Sequence, residues 1–181
     1  MLEDSTNKLH QNLERIAEVL RSDYSYIEQK EWLYVDEVID ELHKNMDLLI
    51  QESQADIRVH KEFEMIYFNA SYFYSFIYNL VSNSIKYRHP DRPCIVDVHF
   101  EITDDQHVRI RVKDNGLGID MDKDGDKIFK LFRRIHDHTE GSGVGLHLIK
   151  KMIERSRGTI SVTSKLGEGT EFTIRLLGNH K

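Results

Sequence analysis

The 181 residues contain one cysteine, Cys94. No internal disulfide can form, so a reducing compartment is the expectation. Cys94 opens an apolar, strand-like run and reads as core packing. Basic surface is also scarce. A net charge of −6 argues against a broad nucleic-acid platform, although local basic spots can still hold phosphates. Long apolar runs are missing. The most apolar window, Met65 to Val81, is interrupted by Asn69, Ser71, Ser75 and Asn79, which is too polar for a membrane span. The start, Met1-Leu2-Glu3-Asp4, is acidic and lacks the apolar stretch of a signal peptide. A cytoplasmic location is therefore expected, in a parent protein that is either soluble or anchored by segments outside this chain. Internal repeats and low-complexity tracts are absent too. What remains is 39% hydrophobic and 31% charged, which suits one full domain, or one domain with an appendage.

Leu9, Leu13, Ile16 and Leu20 are spaced four, three, four, so residues 7–21 read as a helix whose apolar seam wants a partner. A Tyr- and Glu-rich linker follows. Trp32 to Val35 suggests a short strand. Asp36 is the expected N-cap of a helix to about Gln54, with Val38, Ile39, Leu42, Met46, Leu49 and Ile50 inward. Short strands are expected near Asp56–His60 and Glu64–Tyr67. The next helix spans Phe73 to Arg88 and stops at His89-Pro90. Ile95–Ile102 and His107–Val112 alternate around Thr103-Asp104-Asp105-Gln106, a hairpin signal. Lys127–Arg134 is a short helix candidate. Gly143–Arg155 is a helix with Val144, Leu148, Ile149 and Met152 inward. Thr159–Ser164 and Thr170–Leu176 form a closing strand pair. The predicted class is α+β: an antiparallel-rich sheet with helices on one face and an added N-terminal helix.

On the Phe73–Arg88 helix, Asn79, Asn83 and Lys86 fall within a narrow arc. Phe73, Phe76, Ile77, Leu80 and Ser84 form a neighbouring, core-facing arc. Two carboxamides and an ammonium offer an oxygen to a hard cation and a positive charge to an anion. A Mg²⁺-bound phosphate chain needs both. Downstream, Asp114-Asn115-Gly116-Leu117-Gly118 follows a strand, and Gly141-Ser142-Gly143-Val144-Gly145 precedes a helix. Neither is the dinucleotide fingerprint or the P-loop. Glycines before a helix still let backbone N–H groups approach phosphate oxygens at a terminus that favours negative charge. A carboxylate at Asp114 can accept from the amino group of adenine, whereas guanine would offer it an acceptor.

In order, the series is Asn79…Asn83…Lys86, Asp114-x-Gly-x-Gly, Ile128-Phe129-Lys130-Leu131-Phe132-Arg133-Arg134, Gly141 to Leu146, and Gly167-Glu168-Gly169-Thr170-Glu171-Phe172. These five motifs, spread over about Tyr34 to Leu177, resemble the N, G1, F, G2 and G3 boxes of the catalytic, ATP-binding domain of sensor histidine kinases. The wider superfamily includes heat-shock chaperone, gyrase and mismatch-repair ATPases. The resemblance implies a two-layer α/β sandwich, with a mixed, mostly antiparallel sheet backed by helices on one face, and ATP and Mg²⁺ as cofactors. It implies Asn83 as the Mg²⁺ ligand with Asn79 beside it, Lys86 on the phosphates and Tyr87 lining the nucleotide. Asp114 would take the adenine amino group, supported through Thr170, with Ile119 and Leu146 in the adjoining boxes. Gly116, Gly118, Gly141, Gly143 and Gly145 belong to the glycine boxes; Gly116, Gly118, Gly143 and Gly145 would allow backbone approach. Arg133 and Arg134 would reach the outer phosphates from a lid. Two departures stand out. Ser84 replaces a common alanine, a small-for-small change, and Arg157-Gly158 replaces a common Gly-Gly, at the cost of one flexible C-cap and of no ligand role; neither puts nucleotide binding in doubt.

Hydrolysing relatives carry a glutamate one turn before the metal-binding asparagine. Here that residue is Asn79, which cannot act as a base near neutral pH. In the kinases the nucleophile is an imidazole on a separate helical hairpin, so nothing in the ATP domain need deprotonate water. His10 is followed by Gln11-Asn12 and lies too close to Asn83 for that arrangement. Residues 1–30 are therefore expected to be the tail of the hairpin plus linker, with residues 31–178 the catalytic domain. The implied partners are ATP, the phosphoacceptor hairpin and a response regulator, in a parent that is a homodimer. The fragment alone would be weakly associated or monomeric, with no nucleic-acid role. A non-catalytic nucleotide-sensing or docking module, and a serine-directed kinase that silences sigma factors, share the fold. Asp120-x-Asp122-x-Asp124-Gly125 opens like a calcium loop but has Leu131 at the closing glutamate position. His136-Asp137-His138 suggests zinc without enough ligands.

Overall fold

The computed structural model describes residues 29–105, 107–133, 143–177 and 180–181. The seam over 7–21, His10, Arg134, His136, His138 and Gly141 lie outside them.

The chain enters through β1 (Glu31–Tyr34) and passes directly into α1 (Val35–Ser53). Asp36 is not the N-cap; Tyr34 holds that position without a side-chain bond. Strand leads into helix with no intervening loop, and Asp36 in the first turn reaches across to Lys61 at 2.5 Å instead. Val38, Ile39, Leu42 and Met46 are buried as the periodicity requires. The helix stops where Gln54 turns left-handed, at φ 52°.

After β2 (Asp56–Lys61) and β3 (Met65–Phe68) comes α2 (Ala70–Lys86). It starts three residues earlier than its apolar stripe suggests, because the Asn69 side chain caps it by accepting from the Tyr72 N–H at 3.0 Å. It ends before His89-Pro90, the Tyr87 N–H closing on the Asn83 carbonyl. The strands β4 (Ile95–Ile102) and β5 (Val108–Asp114) form the expected hairpin. A four-residue helix, α3 (Met121–Asp124), runs into a 3₁₀ turn at Gly125–Lys127. The helix expected over Lys127–Arg134 is absent from its described part: Ile128 is buried, and Phe132 turns to φ 59°, which ends any helical path. The chain closes with α4 (Gly145–Arg155), β6 (Thr159–Lys165) and β7 (Gly169–Leu176).

Five strands form one sheet in the order β2-β4-β5-β7-β6. β2 runs parallel to β4 and every other pairing is antiparallel. Val96, Val98 and Phe100 of β4, Val108, Ile110 and Val112 of β5, and Phe172, Ile174 and Leu176 of β7 are buried. Their period-two spacing puts them on one face of the sheet, under α1, α2 and α4. The helix α2 is central, packing on α1, α4, β4 and β5. Its stripe of Phe73, Phe76, Ile77 and Leu80 is completely buried. Val144, at the N-cap of α4, and Ile149 and Ile153 on it are buried and Met152 is half-buried against the core, whereas Leu148 lines a cleft beside α2. Cys94 is buried just ahead of β4, and burial pushes its thiol above the ordinary value. Arg157 takes a left-handed conformation, φ 59°, where glycine would be unstrained.

Candidate functional site

The half-buried flank of α2 forms one wall of two adjoining clefts. The first, about 550 Å³, is lined by Asn83, Tyr87, Asp114, Ile119, Leu146 and Thr170, among others. The second, about 1330 Å³, carries Asn79, Asn83, Lys86, Tyr87, Gly143, Gly145 and Leu146. Asn83, Tyr87 and Leu146 belong to both. One cleft is mainly apolar around a single carboxylate; the other is about half polar and flanked by an ammonium.

Asp114 ends β5 and is held from three sides. Its Oδ1 accepts from the Gly116 N–H at 2.8 Å and the Thr170 N–H at 3.1 Å. Its Oδ2 accepts from the Ser84 hydroxyl at 3.1 Å. That hydroxyl also points at the Leu80 carbonyl, 3.1 Å away. One proton cannot serve both, so Oδ2 keeps spare accepting capacity. Burial pushes the Asp114 carboxyl above the usual carboxylate value, and the three donors and nearby Arg92 oppose that only in part. A ligand donor at Oδ2 would relieve the cost of holding the charge there.

Thr170 supports Asp114 through its backbone, not its hydroxyl, which meets Ser164 Oγ at 2.9 Å. Ser164 in turn accepts from the Ile119 N–H at 2.8 Å, tying the loop after Asp114 to β6. Gly118 sits at φ 67°, and a Cβ there would overlap the Lys165 carbonyl; only glycine fits. The expectation was backbone approach to a nucleotide, but the nearest constraint is the protein's own β6–β7 turn. Gly145 is similar: a Cβ would lie 2.7 Å from Asn79 Oδ1. Asn79 donates to the Ser75 carbonyl at 2.8 Å, so its oxygen faces the start of α4. It packs the helix entrance as well as bordering the cleft.

Asn83 has no side-chain partner among the described residues and borders both clefts. A free carboxamide oxygen there suits a hard cation that keeps most of its shell from phosphates and water. Lys86 lies 4.9 Å from the Tyr87 ring centre, an arrangement that holds the ammonium without neutralising it. Arg133 is exposed, with its backbone against Gly143, and lies outside the lining of both clefts. Its segment is pinned nearby: Phe132 N–H donates to the Gly143 carbonyl at 3.0 Å, His147 contacts the Phe129 carbonyl at 3.0 Å, and Phe129 meets Phe172 edge-on. The acidic run takes no ligand-loop form: Asp120 caps α3 and Asp124 pairs with Lys127 at 2.8 Å.

Three positioning residues escape sequence reasoning. Ser84, a small-for-small change in the sequence, touches Asp114. Ser164 links two loops. Arg92 donates to the carbonyls of Asn115, Gly116 and Gly167 at 2.7, 2.8 and 2.7 Å, clamping both glycine turns that frame Asp114. A fork with several donors in fixed geometry does this; no local pattern around His89-Pro90 announces it.

The family described as histidine kinase-, DNA gyrase B-, and HSP90-like ATPase matches residues 69–179. Cyanobacterial phytochrome A of Nostoc sp. (strain PCC 7120 / SAG 25.82 / UTEX 2576) is 36% identical over 140 residues, 76% of this chain and 18% of that protein. Sensor protein RprX of Bacteroides fragilis (strain YCH46) is 27% identical over 184 residues, 97% of this chain and 35% of that protein. The chain thus spans about a third or less of the length of these relatives. Among solved structures, Acinetobacter baumannii histidine kinase AdeS superposes with a TM-score of 0.78 at 18% identity, over 98% of this chain and 82% of that one; at that identity the likeness speaks to the fold. With the family match covering α2, β5, both glycine turns and β7, the chain belongs to the histidine kinase-, DNA gyrase B- and HSP90-like ATPase family.

Proposed function

We propose that this domain is the ATP-binding catalytic part of a two-component sensor histidine kinase, passing the γ-phosphate of ATP to a histidine on a helical hairpin of the parent protein. The observation that carries the reading is Asp114 in one cleft with Asn79 in the adjoining one. Asp114 presents a desolvated carboxylate with spare accepting capacity at Oδ2, as an exocyclic amino donor requires. Asn79 stands at the phosphate side with a carboxamide, which has no basic lone pair near neutral pH. The first property selects adenine; the second leaves water unactivated.

In this reading Tyr87, Ile119 and Leu146 flank the base. Lys86 meets the phosphates, and the start of α4 at Gly143 and Gly145 offers backbone N–H groups to them. Asn83 holds Mg²⁺, which would neutralise phosphate charge when bound. Arg133 and Arg134 complete the phosphate side, with Gly141 at the lid's end. A response regulator takes the phosphate onward, and the parent works as a dimer. Residues 1–30 contribute the hairpin's end and a linker.

The test has two arms. Calorimetry of the chain with ATP should show binding that depends on Mg²⁺ and weakens strongly in Asn83→Ala. Labelled ATP given to the full parent kinase should place acid-labile phosphate on a hairpin histidine, while this chain alone stays unlabelled. Sustained ADP release by this chain without any phosphoprotein would make it a hydrolase. Stoichiometric acid-labile phosphate on this chain would place the acceptor inside it.

A further inference from the structure

The face of the sheet turned away from the helices carries a cluster that nucleotide binding does not use. His60 of β2 and His99 of β4 are registered partners in the one parallel pairing. Asp97 lies two residues before His99, so its side chain shares that face. One ligand atom from each of the three lies within 4.8 Å of the others. His60 Nε2 is 3.8 Å from Asp97 Oδ1, and the imidazole rings stack with centroids 4.4 Å apart and planes 14° from parallel. We propose that His60, Asp97 and His99 form a binding site for a divalent transition-metal ion of the zinc type.

A tetrahedral ion with bonds of about 2.0–2.2 Å holds its ligands roughly 3.3–3.5 Å apart. Closing this triangle takes about an ångström of side-chain rotation at surface positions. Two imidazoles and a carboxylate suit zinc, with copper and nickel as competitors, and suit magnesium poorly. Of the neighbouring cations, Lys113, registered opposite Asp97 on β5, is exposed and makes no ion pair with it among the described residues. Arg58, registered opposite Asp97, is bound to Asp56 at 2.7 Å. Arg111, registered opposite His99, is held by Glu101 and by Glu171 at 3.4 Å. Glu101 shares the face but is occupied by Arg109 and Arg111, so water completes the coordination. The ion would bridge β2, at the sheet's edge, to β4, and would stabilise the fold by mass action.

The experiment uses this chain without nucleotide and zinc chloride alone. Calorimetry should show one zinc ion per chain, and thermal unfolding should move upward with zinc and return with a chelator. His60→Ala, His99→Ala and Asp97→Asn should each lower zinc affinity by about tenfold or more, since even indirect supports of a metal site cost about 10–100-fold. These variants should keep the wild-type circular dichroism and ATP affinity. The paired change His136→Ala with His138→Ala should leave the zinc response intact. Cobalt substitution should give a visible absorption band that His99→Ala abolishes. The absence of any zinc response in the wild-type chain would overturn the site. Undiminished one-to-one binding in a His60→Ala, His99→Ala double variant would overturn it as well.

Discussion

Replacing Asp114 by Asn tests the base pocket with almost no change in shape. The Asn oxygen can keep the position of Oδ1 and its two backbone donors, Gly116 and Thr170. The amide nitrogen then takes the place of Oδ2, and two consequences follow. Ser84 no longer faces an acceptor there, but its hydroxyl still has the Leu80 carbonyl, so little is lost. The adenine amino group, by contrast, meets a donor. The lost bond is charge-assisted and worth about 1.5–3 kcal/mol, with a further penalty for two unpaired donors. ATP affinity should fall about 10–100-fold or more, while GTP, whose base presents an acceptor, should lose little or gain. Stability runs the other way. Burial disfavours the Asp114 charge, and a neutral amide removes that cost, so at neutral pH the nucleotide-free variant should unfold within about 1 kcal/mol of wild type, or above it. Calorimetry with both nucleotides and thermal denaturation without them separate the two effects. Equal losses for ATP and GTP would remove Asp114 from base recognition, and a collapse in melting temperature would make it a structural residue.

Two further expectations concern its surroundings. Arg92→Lys should fail to rescue Arg92→Ala, because one ammonium cannot reach three carbonyls on two turns; each bond is worth about 1 kcal/mol, so both variants should melt lower and bind ATP more weakly. Comparable stability of Arg92→Lys and wild type would refute the clamp. The pH dependence has a definite sign. With its folded value raised, Asp114 contributes apo stability at low pH that is lost as pH rises through that value; if Asp114 accepts from adenine as proposed, ATP needs the ionised form, and affinity should fall on acidification at a pH above the ordinary aspartate range. Ser84→Ala removes a donor to the charged form and should move that fall to higher pH; an unchanged profile would dissociate Ser84 from Asp114.

The strands and helices were legible because their burial obeys simple periods. Val96, Val98 and Phe100 alternate along β4, and Phe73, Phe76, Ile77 and Leu80 recur along α2. Boundaries failed where tertiary contacts decide them. Asp36 resembles a cap, yet Lys61, distant in sequence, claims its carboxylate. Ile128, Phe129 and Phe132 have helical spacing, yet each is held by a different partner and the backbone turns at Phe132. On α4, Leu148 is as apolar as Ile153, and only the neighbouring helix determines that Leu148 borders a cleft while Ile153 is buried. Within the site, Asp114 and the glycine turns stand out in the chain because spacing marks them. Ser84, Ser164 and Arg92 do not, since a hydroxyl aimed at a remote carboxylate or a guanidinium spanning two turns leaves no local trace.

The order of strands sets an order of events. Asp114 closes β5, the middle strand, whose backbone is bonded to β4 on one side and β7 on the other. Gly143 and Gly145, at the opposite end of the site, hang from the first turn of an eleven-residue helix. Local openings begin at helix ends and loops long before they reach a central strand. A bound nucleotide should therefore loosen first at its phosphates and last at its base, so that product exchange can begin while the base is still held.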